Sequence, residues 1–79
     1  MYYVYVLRNH NNFNRYIGHC KDIPDRLNDY NYGKVKSTKA FRPWHLVHHE
    51  EFNTRVEAIT RERFLKSGIG REWLDYQAF

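Results

Sequence analysis

The segment YYVYVL, Tyr2 to Leu7, most narrows what this chain can fold into. Every residue in it except Leu7 is aromatic or β-branched, the side chains that suit a pleated, extended backbone. Alternation puts Tyr3, Tyr5 and Leu7 on one face and Tyr2, Val4 and Val6 on the other. Both faces are apolar, so the segment predicts a central strand with cover on both sides. The chain has 79 residues, which is one domain, 1–79, with a thin core. Aromatics make up 18% of it, and large rings help so small a core bury enough area.

The neighbouring segments supply the cover. NHNNFN, Asn9 to Asn14, has turn composition, and RYIG after it returns as a second strand, giving a hairpin. Asp22 is placed to cap a helix whose first turn holds Pro24 and whose apolar stripe is Ile23, Leu27 and Tyr30. That helix should end near Asn31 to Gly33. Trp44 to Phe52 alternates as a third strand, and Thr54 with Glu57 forms a capping box for a helix over Arg55 to Lys66. Gly68 is expected to stop it, and REWLDY to form a short closing helix anchored by Trp73. The expected fold is a small α+β sandwich, β-β-α-β-α-α, with a three-stranded antiparallel sheet between helices.

Composition excludes several classes. Cys20 is the only cysteine, so no internal disulfide is possible, which argues against a disulfide-stapled secreted scaffold. No segment is long and apolar enough to span a bilayer, and no signal peptide is evident, so a cytoplasmic location without membrane association is expected. The net charge of +4 makes nucleic acid the leading partner, although many small basic proteins bind none. The stretch Gly33 to Pro43 concentrates that charge: Lys34, Lys36, Lys39 and Arg42 occur with no acid among them. It reads as a basic loop, either a solvated surface run or a track for a phosphate backbone.

Two charged residues sit where apolar ones are expected. At about 100° per residue, Glu62 falls inside the helical arc of Ala58, Ile59 and Leu65. A carboxylate there is either paired with a neighbouring cation or has a functional task, because burying a charge alone is costly. Arg26 flanks the Ile23, Leu27, Tyr30 stripe one turn before Tyr30. It either lies over the sheet edge with its head in water or acts on something.

These residues together resemble one family. Tyr3-Val4-Tyr5 and Tyr16-Ile17-Gly18 lie on the first two strands, with Tyr16 eleven residues after Tyr5. Arg26 lies ten residues after Tyr16, Tyr30 one helical turn further on, and Glu62 on a later helix in EAITRERFLK. On these positions the chain resembles the GIY-YIG nuclease family, most closely small stand-alone members similar to the N-terminal catalytic domain of the excision-repair nuclease. The resemblance covers nearly the whole chain. It departs in three places. The first tripeptide lacks the Gly-Ile start, and His19 follows Gly18 where repair-type members tend to have lysine. No Asn follows Asn53, whereas many members carry a late asparagine that orders the site; Trp73 is one candidate for substitute support.

The resemblance implies hydrolysis of DNA phosphodiesters with one divalent cation, Mg²⁺ or Mn²⁺. In that reading Tyr5, Tyr16, Arg26, Tyr30 and Glu62 are catalytic. Glu62 holds the metal, weakly until substrate phosphate completes the shell. Arg26 presents its planar fork to the scissile phosphate. One of Tyr5, Tyr16 or Tyr30 orients or deprotonates the water, with Tyr5 favoured; a tyrosine pKa near ~10 makes this difficult unless a cation lowers it. Gly18 lets substrate approach a strand end, unless it is an ordinary turn glycine. Gly18 and His19, with Lys34, Lys36, Ser37, Thr38, Lys39 and Arg42 of the loop, are the expected DNA contacts. The expected partners are DNA, branched or damaged forms included, and a targeting protein, in DNA repair or processing. The alternatives are a dormant nucleic-acid-binding module and a protein-interaction domain with the same fold. His45, His48 and His49 invite a zinc reading, but strand alternation separates His48 from His49 and no cysteine pair accompanies them.

Overall fold

A computed structural model describes all residues, Met1–Phe79. Strand β1, Tyr2–Asn9, lies at the centre of a three-stranded sheet in the order β2-β1-β3, antiparallel throughout. β2 spans Arg15–Cys20 and β3 spans Trp44–Phe52. Val4, Tyr5, Val6 and Leu7 are all buried, as a strand with two apolar faces requires. β1 runs two residues beyond the expected Leu7: Arg8 pairs with Arg15 and with His45, so the ladder continues to the hairpin turn.

Each face of the sheet has its own core. On one side Val4, Val6 and Ile17 pack with Ala58, Leu65 and Leu74. These last three come from α2, Arg55–Lys66, and α3, Gly68–Gln77. On the other side Tyr5 and Leu7 pack with Tyr30 of α1, Ile23–Asn31, and with Trp44. The sheet is therefore sandwiched between α1 and the α2–α3 pair. α1 starts where Asp22 accepts a hydrogen bond from the Asp25 N–H, with Pro24 in the first turn. Thr54 and Glu57 complete both halves of the capping box on α2.

The C-terminal corner differs from expectation. Gly68 does not simply end α2: it opens α3, and Ser67 serves as the cap shared by both helices. Its hydroxyl donates to the Phe64 carbonyl and accepts from the Gly70 N–H. At Gly70 a β-carbon would overlap the backbone of Phe64 and Leu65, so the two helices turn against each other in direct backbone contact. α3 is also longer than the expected REWLDY, and its anchor is Leu74, which is wholly buried. Trp73 is half-buried at the rim, edge-on to His48 and Phe79.

Candidate active site

The site forms where edge strand β2 lacks a side chain. Tyr5 on β1 stands directly opposite Gly18 on β2. A β-carbon at Gly18 would overlap the Tyr5 hydroxyl, so glycine is what lets the Tyr5 ring lean over β2. The hydroxyls of Tyr5 and Tyr30 are 2.8 Å apart and share one hydrogen bond. Tyr16 packs on Tyr30 with ring centres 5.1 Å apart, and Trp44 closes the aromatic group edge-on to Tyr16 and 6.4 Å from Tyr30. The Arg26 guanidinium lies 5.1 Å from the centre of the Tyr30 ring. Its one ionic partner is Asp29 at 3.8 Å, a loose contact that leaves the fork available.

Glu62 approaches from the other face. Alternation turns Ile17 and His19 toward α2, while Tyr16 and Gly18 belong to the α1 face. His19 Nδ1 donates to Glu62 Oε1 at 2.6 Å, and Lys66 Nζ donates to Oε2 at 2.8 Å. One cleft of about 200 Å³ is lined by residues from both faces: Tyr5, Tyr16, Arg26 and Tyr30 on one flank, His19, Glu62 and Lys66 on the other. Gly18 is the saddle between them. All five expected catalytic residues thus share one cleft, together with Gly18 and His19.

Burial works against charge throughout this cleft. It raises the Tyr5 pKa, outweighing the opposing effects of Tyr30 and of the Arg26 charge. Tyr30 is raised further, by burial first and by Tyr5 second. Arg26 is held more firmly protonated than usual, chiefly by Tyr5. For Glu62 burial alone would raise the pKa, but the hydrogen bonds and charges of Lys66 and His19 together outweigh it, and the carboxyl sits below its ordinary value. The cleft therefore contains the ionised Glu62 carboxylate, the Arg26 guanidinium, the Lys66 ammonium and the neutral hydroxyls of Tyr5 and Tyr30.

The loop contributes less than its composition promises. Thr38 is buried: its hydroxyl donates to the Val35 carbonyl, and its carbonyl accepts from the Trp44 indole. It is a structural tie and not a surface contact. Lys34 lies 3.6 Å from Asp29, and Arg42 folds back to donate to the Lys39 carbonyl. Lys36, Ser37 and Lys39 are exposed. Lys39 opens a single 3₁₀ turn, Lys39–Phe41, that composition did not announce. His48 stacks on Phe79 while His49 faces Tyr3 across the sheet. Trp73, offered as support for the site, instead holds Arg61 over its ring; His19 and Lys66 are what orient Glu62. Lys66 went unnoticed in the sequence, although its i+4 spacing from Glu62 is the signal that finds it.

The GIY-YIG catalytic domain profile matches residues 1–72. The UPF0213 protein SAV0488 of Staphylococcus aureus strain Mu50 is 42% identical over 53 residues, 66% of this chain, and UPF0213 protein MW0443 of strain MW2 gives the same figures. The chain spans 65% of the length of these curated relatives. The solution NMR structure of the UPF0213 protein BH0048 from Bacillus halodurans has a TM-score of 0.56 and 30% identity, covering 98% of this chain and 85% of that one. By the extent of the profile match and by its fold, the chain belongs to the GIY-YIG nuclease family.

Proposed function

We propose that the protein is a divalent-metal-dependent endonuclease that hydrolyses DNA phosphodiesters in repair or processing. The observation that carries this reading is the single cleft over Gly18 that joins Arg26 and the tyrosines to an ionised Glu62. A phosphodiester entering it meets a guanidinium whose two parallel N–H donors match a pair of phosphate oxygens. The same fork neutralises the charge that builds on those oxygens during attack.

The donor set fits Mg²⁺ or Mn²⁺ through one protein ligand. No cluster of three His, Cys, Asp or Glu side chains exists anywhere in the chain, so Glu62 is the sole carboxylate donor at the cleft. A hard cation that keeps several waters and takes the rest of its shell from phosphate suits a single carboxylate. Such an ion supplies charge neutralisation and an activated water. Both Glu62 oxygens are engaged, so Lys66 must release Oε2; its side chain is 48% exposed on a flexible stem and can do so. Tyr5 is the proposed group that orients the attacking water. It shares one hydrogen bond with Tyr30, so one of the two hydroxyl protons remains free to face the cleft.

A nicking assay on plasmid and branched DNA with Mg²⁺ or Mn²⁺ tests the reading. Wild-type protein should nick, and Arg26→Ala and Glu62→Ala should each lose at least ~100-fold in rate. Undiminished nicking by both variants would overturn the assignment.

A further inference from the structure

The catalytic cleft is the middle one of three that follow β2 from end to end. Toward Arg15 it adjoins a cleft lined by Arg15, Tyr16, Ile17, Lys66 and Arg71, with which it shares Tyr16, Ile17 and Lys66. Toward Cys20 it adjoins a cleft lined by Tyr2, His19, Cys20, Lys21 and Arg55, with which it shares His19. Neither flanking cleft has an acidic residue in its lining. Lys21, Arg55 and Arg71 are exposed, and none of the three has a carboxylate within ion-pair distance. Asp22, beside Lys21, spends its carboxylate on capping α1. Arg15 and Lys66 are the exceptions among the cations of these clefts: Asp75 and the Phe79 carbonyl hold Arg15, and Glu62 holds Lys66.

We propose that the phosphodiester backbone of a DNA strand runs along β2, from Arg71 across Gly18 to Lys21 and Arg55, with the scissile phosphate at Gly18. This rests on the endonuclease reading above and adds the path of its substrate. β2 is an edge strand, so no neighbouring strand blocks the approach. At about 3.3 Å per residue its six residues extend about 17 Å from first to last, room for several phosphates at about 3.4 Å of duplex axis each. The contacts are guanidinium and ammonium groups to phosphate, which give affinity and position without reading bases. The loop over Gly33 to Pro43 is then secondary: two of its cations are already engaged, and its Thr38 is buried.

The test measures binding of fluorescein-labelled DNA oligonucleotides, single-stranded and duplex, in EDTA over a series of salt concentrations. Two triple variants are compared with wild type: Lys21→Ala/Arg55→Ala/Arg71→Ala on the track, and Lys34→Ala/Lys36→Ala/Lys39→Ala on the loop. The track variant should lose at least ~tenfold in affinity at ~0.1 M salt, and its slope of log affinity against log salt should fall by about 2 to 3. The loop variant should change less than ~threefold on the same scale. The single variants Arg55→Gln and Arg71→Gln, both at exposed helical positions, should each reduce the slope by about 1 and so guard against a folding defect in the triple. Wild-type-like binding by the track variant, or a larger loss in the loop variant, overturns the path. If wild type cleaves DNA while the track variant binds normally, only the path falls. If wild type neither binds nor cleaves, the endonuclease reading falls with it.

Discussion

Gly18 and Lys66 show how single residues set this site. Gly18→Ala places a methyl group against the Tyr5 hydroxyl, which is already bonded to the buried Tyr30. Tyr5 must then leave its rotamer or β2 must shift, at a cost of about 1–3 kcal/mol. Urea unfolding should show a loss of that size, and the nicking rate should fall with it; an unaltered urea midpoint would mean that the Tyr5–Gly18 contact is slack. Lys66→Met acts oppositely on the carboxylate. It removes the cation that occupies Glu62 Oε2 and leaves His19 on Oε1. Mn²⁺ titration without DNA should show tighter binding, about tenfold if the lost ion pair is worth ~1.4 kcal/mol of competition. Equal affinity would mean that Lys66 does not compete with the cation. At this scale the sequence was partly legible. Glu62 and Arg26 stood out because charge occupied apolar positions. The role of His19 did not, because its partner lies 43 residues away on another element and only the fold brings the two together.

Local rules placed most elements because the strongest signals here are short-range. The Asp22 cap, the Thr54–Glu57 box and the strand signal of Trp44 to Phe52 are each short-range, and each element fell where the sequence put it, although a bulge at Val47 interrupts the alternation of the strand. The α2–α3 corner did not, since its cause is contact between two helix backbones at Gly70, which composition does not display. Helix α2, which carries Glu62, is held by its cap and by its packing, and the two can be weighed. Thr54→Ala removes the acceptor for the Glu57 N–H and should cost about 1 kcal/mol with only a small change in nicking, because the cap lies two turns from Glu62. Leu74→Ala should cost about 2–5 kcal/mol, since a wholly buried side chain of the α2–α3 core is lost. Chemical denaturation ranks the two. A Thr54→Ala loss as large as that of Leu74→Ala would mean that α2 depends on its cap more than on its packing.

Across the whole molecule, acid should act first on the side of the sheet that carries α2. Glu50 on β3 accepts from Arg61 at 2.9 Å and from His48 at 2.8 Å, and Glu62 accepts from His19 and Lys66. Burial opposes ionisation at Glu50 too, but the His48 and Arg61 bonds outweigh it, so both carboxyls lie below their ordinary value of 4.5. A depressed folded-state pKa contributes stability that is fully present above the unfolded value and lost as pH falls through the folded one. Stability should therefore change little from these groups above about pH 5 and drop below about 4.5 as protonation releases Arg61, Lys66 and the two histidines. Those pairs tie α2 to β3 and to β2, whereas the α1 face is held by the aromatic group around Tyr30, whose hydroxyls stay neutral. Urea midpoints measured from pH 7 to pH 3 check the sign, and Glu50→Gln should flatten the acid limb by removing one of the two titrating groups. Midpoints that rise toward pH 3, or an acid limb unchanged in Glu50→Gln, would show that these carboxylates do not fasten α2 to the sheet.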